Sequence, residues 1–457
     1  MQDYIKPNVK YGERSGKSMS QVQYIAFGFL FMILCGTLLL MLPIASRSGQ
    51  WTDPLSAAFT ATSASCVTGL VVYDTYSHWS LFGQLVIICL IQIGGLGFIS
   101  IGIMISILLR RKINLRMRNR MVESVNALQL GGIVALTRKI LAGTLVIEGL
   151  GALCLMPFFL PRLGLIRGIY YSVFHSISAF CNAGFDLMGR YEAYSSFVLC
   201  RDDLWINLVL VFLILIGGLG FAVWDDIYTN RFNFKKYRLH SKLVLLGTLI
   251  FTLGGALLFY IFEKNNLLSE LSPMGQFCAS LFGSVTPRTA GFNTTATENL
   301  TDASQLLTLF LMLVGGNSGS TAGGVKVTTI LVLYLFVISN MQQSSGVEIF
   351  GRRLSDDTVR KAAVVFTINT SLGIIAAMII CSLQHFDMRD VLFETFSAMN
   401  TVGMTRGLTR DLNTVSRLII MLLMYFGRVG SLTFAFSFLK KKDDKIIKCP
   451  VEEISVG

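Results

Sequence analysis

Charge is scarce in this chain. Asp, Glu, Lys and Arg make up 14% of its 457 residues, where a soluble domain carries about a quarter. With 53% hydrophobic residues and a mean hydropathy of +0.61, the composition excludes a water-soluble globule and predicts a membrane protein. Histidine is rarer still. His78, His175, His240 and His385 lie far apart, which leaves no cluster for a membrane-embedded enzyme, so no enzymatic activity is expected. The nine cysteines are scattered through apolar stretches with no Cys-x-x-Cys pair, so neither a zinc site nor a disulfide framework is expected. There is no Walker lysine and no Gly-x-Gly-x-x-Gly after a strand. Any energy or regulatory signal must therefore come from elsewhere. Residues 1–20 carry Lys6, Lys10, Arg14 and Lys17 but no cleavage site follows, and they read as a retained cytoplasmic tail.

What the chain has instead is long apolar runs. A bilayer core of about 30 Å takes about 20 apolar helical residues. Residues 24–43, 82–109, 140–160, 204–224, 243–262, 306–339, 362–383 and 418–439 qualify. Within each successive pair lies a shorter amphipathic stretch (53–65, 167–180, 273–285, 388–399) that runs straight into a glycine. The four glycine segments are Cys66-Val67-Thr68-Gly69-Leu70, Cys181-Asn182-Ala183-Gly184-Phe185, Thr289-Ala290-Gly291-Phe292-Asn293 and Thr401-Val402-Gly403-Met404. Their glycines follow one another at 115, 107 and 112 residues, which predicts four repeats. A Phe stands ten residues before the glycine in three of them (Phe59, Phe174, Phe393), and a Ser six before it (Ser63, Ser178, Ser397). The third repeat departs, with Leu281 and Val285. Asp53-Pro54 and Ser272-Pro273 read as helix N-caps followed by proline at the first helical position.

The expected fold is therefore an all-α integral membrane protein of four pseudo-symmetric span–short helix–glycine loop–span repeats, eight spans around one central pore. The expected organisation is an N-tail (1–20), repeat 1 (21–110), a cytoplasmic linker (111–137), repeat 2 (138–230), repeat 3 (231–340), repeat 4 (341–439) and a C-tail (440–457). Each second span carries glycines, as in Ile93-Gly94-Gly95-Leu96-Gly97-Phe98, Ile216-Gly217-Gly218-Leu219-Gly220-Phe221, Gly315-Gly316 and Gly427 with Gly430. They suit close helix approach and, secondarily, helix bending. The excess of basic residues (net charge +12) lies in gaps between apolar runs, so it reads as membrane topology and not as a nucleic-acid surface. Most Lys and Arg fall in the two tails and in 110–139, 231–242 and 352–361. Both termini are then cytoplasmic, and the glycine loops enter from outside. The outer segments, to which Arg288 is also assigned, hold Asp53, Asp74, Asp186, Asp202, Asp203, Glu263, Glu298, Asp302 and Asp411. These are either an acidic mouth that concentrates cations or ordinary solvated loop charge.

Non-helical backbone survives at membrane depth only where protein buries it or it lines a wet cavity. Four glycine loops on one axis can present carbonyl oxygens that replace the hydration shell of a cation. Glycine serves because that geometry needs backbone closed to residues with a Cβ. Val67, Ala183, Ala290 and Val402 are small or β-branched and are expected to pack away from the axis. No carboxylate lies in the four segments, which favours a weakly hydrated monovalent ion. The third long run is interrupted by Gly315-Gly316-Asn317-Ser318-Gly319-Ser320-Thr321-Ala322-Gly323-Gly324-Val325-Lys326. Five glycines in that segment cannot hold a stable helix, and a flexible polar loop beneath a filter is a natural gate. Arg428 falls inside the last span and should hydrogen-bond carbonyls or hydroxyls in a polar cavity. Lys326 is placed near the cytoplasmic end, where it can snorkel. Glu148 reads either as a lipid-facing residue near the surface or as a helix–helix contact. Only one span looks strongly broken, and the repeats share one orientation. Both points favour a channel-like path over an alternating-access carrier.

This pattern resembles the Trk/Ktr/HKT superfamily of potassium transporters over essentially the whole chain, and its compact eight-span form is most similar to the membrane subunit of bacterial Ktr systems. The resemblance implies one filter strand per repeat, with K+ held by Val67, Thr68 and Gly69, by Asn182, Ala183 and Gly184, by Thr289, Ala290 and Gly291, and by Thr401, Val402 and Gly403. Plant relatives with Ser at the first glycine position tend to pass sodium, and Gly69 here favours potassium. The resemblance further implies a barrier formed by the 315–326 loop with Arg428. It also implies a homodimer with one pore per subunit, a soluble cytoplasmic nucleotide-binding ring as partner, and K+ uptake across the bacterial cytoplasmic membrane, with Na+ coupling left open. Membrane lipid is the remaining partner, and no nucleic acid is expected. The alternative is a monovalent cation carrier, or a Na+-permeable relative with weaker selectivity.

Overall fold

The computed structural model describes residues 21–97, 133–231, 233–344 and 346–430. The expected tails, most of the linker and the distal parts of the runs at 82–109 and 418–439 lie outside the described residues. The described chain is predominantly helical. In order it forms α1 (Gln21–Met41), α2 (Pro54–Cys66), α3 (Leu81–Leu96), α4 (Ile133–Leu163), α5 (Leu165–Phe180), α6 (Leu204–Leu219) and α7 (Phe221–Asn230). Then come α8 (Leu239–Glu263), α9 (Pro273–Val285), α10 (Asp302–Val314), α11 (Val327–Met341), α12 (Asp356–Leu383), α13 (Met388–Met399) and α14 (Thr414–Val429). A two-residue antiparallel pair, Glu348–Ile349 with Arg352–Arg353, joins α11 to α12.

Among the described helices, α1, α4, α8 and α12 are long and apolar enough to cross a membrane. They turn Phe31, Leu38, Leu145, Leu153, Leu253, Leu257 and Met378 outward. Such a belt is unstable in water and stable in lipid, where backbone groups are satisfied within each helix. The four short helices start where capping chemistry allows. Asp53 accepts the Ser56 N–H at 2.9 Å, with Pro54 opening α2. Ser272 does the same for Gly275 at 3.0 Å, with Pro273 opening α9. The Asp387 carboxylate accepts the Arg389 N–H at 3.1 Å and caps α13. The helix expected at 167–180 begins earlier, at Leu165, after Gly164 with φ +77°.

Each short helix packs on the long helix before it and on the second helix of the preceding unit: α5 on α3, α9 on α6, α13 on α10 and α2 on α14. The last pairing closes a cycle. The largest buried side chains follow this circle, with Phe59, Phe174, Phe180, Phe282 and Phe393 on the short helices.

The second runs differ from expectation. Helices α3, α6, α10 and α14 each stop at a glycine in left-handed backbone: Gly97 (φ +79°), Gly220 (+96°), Gly315 (+59°) and Gly430 (+94°). The 204–224 run is not one helix, because α6 and α7 meet at 95°. A second strong break therefore stands beside the one at 315–326, which corrects the reading that only one span is broken. The cause is local. Gly220 lies so close to the Ser318 carbonyl that a methyl group there would come within 2.6 Å of it. The Phe221 N–H, freed from helix geometry, donates to Gly319 O at 2.7 Å.

Candidate functional site

The four glycine segments share one backbone path. The residue two before each glycine is left-handed (Val67 +57°, Asn182 +58°, Thr289 +73°, Thr401 +50°), and so is the glycine itself (+102°, +70°, +78°, +91°). The residue between them donates its N–H back to the short helix. Thr68, Ala183 and Val402 bond the carbonyls of Ser63, Ser178 and Ser397 at 2.8 Å, and Ala290 bonds that of Thr286 at 2.9 Å. In a trans peptide the C=O opposes the N–H. The carbonyls of Val67, Asn182, Thr289 and Thr401 therefore face away from the short helices. Val67 thus stands in register with Asn182, Thr289 and Thr401, while Thr68 stands with Ala183, Ala290 and Val402.

Helix-end side chains hold the strands. The Gly69 and Gly403 N–H groups donate to the Ser63 and Ser397 hydroxyls, both at 3.1 Å. The Ser178 hydroxyl donates to Phe185 O at 2.7 Å, and the Thr286 hydroxyl to Phe292 O at 2.5 Å. Thr286 is the third repeat's counterpart of the serine, and the buried Phe282 that of the phenylalanine. Both sit one residue later in the count, so the third repeat departs by a one-residue shift and keeps the chemistry.

The glycines close a ring. A methyl group at Gly69 would fall 2.6 Å from Ala183 O, one at Gly184 2.9 Å from Ala290 O, and one at Gly291 2.6 Å from Val402 O. One at Gly403 would strike Thr68 O. No side chain larger than hydrogen fits at any of the four, and the order of contacts runs once around and returns to its start.

Above the ring lies a cavity of about 340 Å³ with all four glycines in its floor and Asp74, Asp186, Glu192, Glu298 and Arg410 in its wall. Burial and the nearby Asp74 push the Asp186 carboxyl up to about 7. The outer acids thus divide by role. Asp74, Asp186 and Glu298 face the cavity. Asp53 and Asp203 cap helices. Glu263 accepts from Thr301 and Asn266, and Asp302 pairs with Arg389 at 2.6 Å.

On the side away from this cavity, the 315–326 loop lies against the residues two positions before the glycines. Gly323 abuts the Thr401 side chain, and a methyl on Gly316 would sit 3.6 Å from the Thr289 hydroxyl. The Asn317 side-chain amide donates to Gly218 O at 2.9 Å and to the Thr248 hydroxyl at 3.1 Å. The Thr321 hydroxyl donates to Phe180 O at 3.1 Å, and the Ser320 hydroxyl to Asn317 O at 2.7 Å. The Gly324 N–H donates to Gly427 O at 3.1 Å. Lys326 does not snorkel outward: its ammonium turns back to Ala322 O at 2.9 Å and Gly323 O at 2.6 Å. Arg428 donates to Thr321 O in the loop, and to Gly94 O at 2.5 Å and Gly95 O at 2.9 Å at the end of α3. One guanidinium thus ties the loop to a helix on the opposite side of the ring.

Two residues escaped the sequence reading. Arg288, counted among the outer charges, is buried behind the third glycine segment. Asn400 is fully buried behind the fourth. Both stand three residues before their glycine, a register signal that charge counting overrides. Glu148 is a helix–helix contact: it is buried, and its carboxylate accepts from the Gln92 amide at 3.0 Å.

The TrkH family model, described as a cation transport protein, matches residues 12–448. The chain is 41% identical to the potassium/sodium uptake protein NtpJ of Enterococcus hirae, over 97% of this chain and 99% of that protein. It is 39% identical to Ktr system potassium uptake protein B of Bacillus subtilis, over 95% and 96%, and 34% identical to that of Vibrio alginolyticus, over 98% and 97%. Among solved structures, the potassium transporter TrkH from Vibrio parahaemolyticus superposes with a TM-score of 0.75 at 19% identity, covering 93% of this chain and 86% of that one. That last likeness is one of fold. With the family match and the full-length relatives, the chain belongs to the TrkH cation transport protein family.

Proposed function

We propose that this chain is a channel-like potassium uptake transporter of the bacterial cytoplasmic membrane. It is built from four repeats (21–110, 138–230, 231–340 and 341–439) that contribute eight spans, with both termini cytoplasmic. The closed ring of Gly69, Gly184, Gly291 and Gly403 carries the reading. Carbonyls from residues 67–69, 182–184, 289–291 and 401–403 replace water around a dehydrated K+. The acidic cavity above raises the local cation concentration. The 315–326 loop and Arg428 form a barrier below, and a soluble nucleotide-binding ring moves it in a homodimeric assembly. The names of the relatives support potassium as cargo. The relative named for potassium and sodium supports a second reading, in which Na+ also enters or drives uptake.

The test is tracer flux in proteoliposomes with K+ and Na+ gradients imposed separately. K+-preferring flux that rises when residues 316–323 are deleted supports both filter and gate. Equal K+ and Na+ flux favours the weakly selective alternative. Absence of cation flux from a folded deletion variant overturns the pore.

A further inference from the structure

The loop is held at both ends by side chains that immediately precede the third and fourth glycine segments. Arg288 and Asn400 occupy the same place, three residues before Gly291 and Gly403, just ahead of the left-handed Thr289 and Thr401. The Arg288 guanidinium donates to Gly315 O, where α10 ends and the loop begins, at 3.5 Å. It also donates to the Thr252 hydroxyl at 2.7 Å and Thr248 O at 3.4 Å. Thr248 is where the loop's Asn317 also docks. At the other end, the Asn400 carbonyl oxygen accepts the Val325 N–H at 3.2 Å, and its amide donates to Phe396 O at 3.1 Å. Gly324 packs so closely on Asn400 that a methyl would come within 2.7 Å of its Cα.

A buried guanidinium with no carboxylate in ion-pair range among the described residues is costly unless carbonyls and hydroxyls surround it. Here the carbonyls are those of the loop entry and of α8. At the corresponding positions in the other two repeats stand Cys66 and Cys181, and the Cys181 thiol turns to Gln92 and Glu148 instead of the loop. Among the described residues, side chains at this register position reach the loop in the third and fourth repeats, while the second repeat meets it through the Phe180 carbonyl.

We propose that Arg288 and Asn400 are positioning residues that clamp the two ends of the 315–326 loop to the third and fourth glycine segments, so that loop displacement and the shape of those segments change together. This rests on the filter-and-gate reading. A shift of the loop away from the ring breaks the Arg288 and Asn400 bonds, and the strands these residues precede lose their backing. Ion occupancy of the ring in turn favours the docked loop.

The test combines Arg288→Met, Arg288→Lys and Asn400→Ala with the 316–323 deletion, reading K+ flux and the K+/Na+ ratio in proteoliposomes of protein checked for monodispersity and thermal midpoint. Loss of one charge-assisted bond from a two-state loop predicts a rise in basal K+ flux of roughly tenfold for Arg288→Met. A smaller rise is expected for Asn400→Ala, with partial restoration in Arg288→Lys. In the deletion background the same substitutions should add no further flux. If folded Arg288→Met and Asn400→Ala leave flux at the parental level, the clamp is wrong. If they lower the K+/Na+ ratio equally with and without the loop, the residues brace the segments alone and the coupling is wrong. If the deletion by itself leaves flux unchanged, the gate reading falls first, and the clamp with it.

Discussion

At the scale of single residues, the ring tolerates no Cβ. Gly403→Ala would place a left-handed φ of +91° on a residue for which it costs on the order of 1–2 kcal/mol, and it would press a methyl on the Thr68 carbonyl. K+ flux in liposomes is expected to fall by roughly tenfold or more, with the K+/Na+ ratio moving toward one. Asp186 gives the mouth a pH dependence. Its carboxyl, raised to about 7, stays protonated below that value and charges as pH rises through it. Uptake at subsaturating K+ should therefore increase across pH 7, and Asp186→Asn should flatten the profile. The same shift acts on stability with the opposite sense. A free aspartate titrates near 3.9, so the folded state holds the proton more tightly and loses stability between about pH 4 and 7. The ring glycines and the Ser63, Ser178 and Ser397 supports were legible by counting. Thr286 was not, because a one-residue shift breaks the count while the hydroxyl keeps its bond. Arg288 was misplaced because loop position in a sequence carries no depth.

At the scale of elements, caps and proline placed the short helices within a residue or two, since Asp53-Pro54 and Ser272-Pro273 act locally. The second runs were less legible. Apolar composition continues through Gly220, but the helix does not. Its bend depends on Ser318 and Gly319, about a hundred residues away in sequence. Gly220→Ala is expected to push the 315–326 loop off α6, because both the φ of +96° and the 2.6 Å approach to Ser318 O oppose a side chain. Hydrogen exchange at Asn317 and Thr321, whose N–H groups donate to Gly218 O and Gly217 O, should quicken. Unchanged protection there would mean that the loop docks independently of the bend.

At the scale of the whole molecule, four chain segments far apart in sequence meet at one ring, and the cycle closes by α2 packing on α14. An ion bound at such a ring bridges all four units and stabilises the folded state through linkage, by about 2.7 kcal/mol at a hundredfold excess over Kd. The melting midpoint in detergent should rise in K+ relative to a bulky organic cation, and Gly403→Ala should abolish the rise. Equal midpoints in both salts would show that the ring holds no cation under those conditions.

The sequence by itself determined the class of solvent, the presence of long apolar helices and the four evenly spaced glycine segments. These follow from composition, run length and local backbone need, which neighbours in sequence dictate. Tertiary structure alone decided the cyclic order of the glycines, the break at Gly220, and the partners of Arg288, Asn400 and Arg428. Each of these depends on carbonyls brought together from segments tens to hundreds of residues apart, and no local pattern encodes where such carbonyls point.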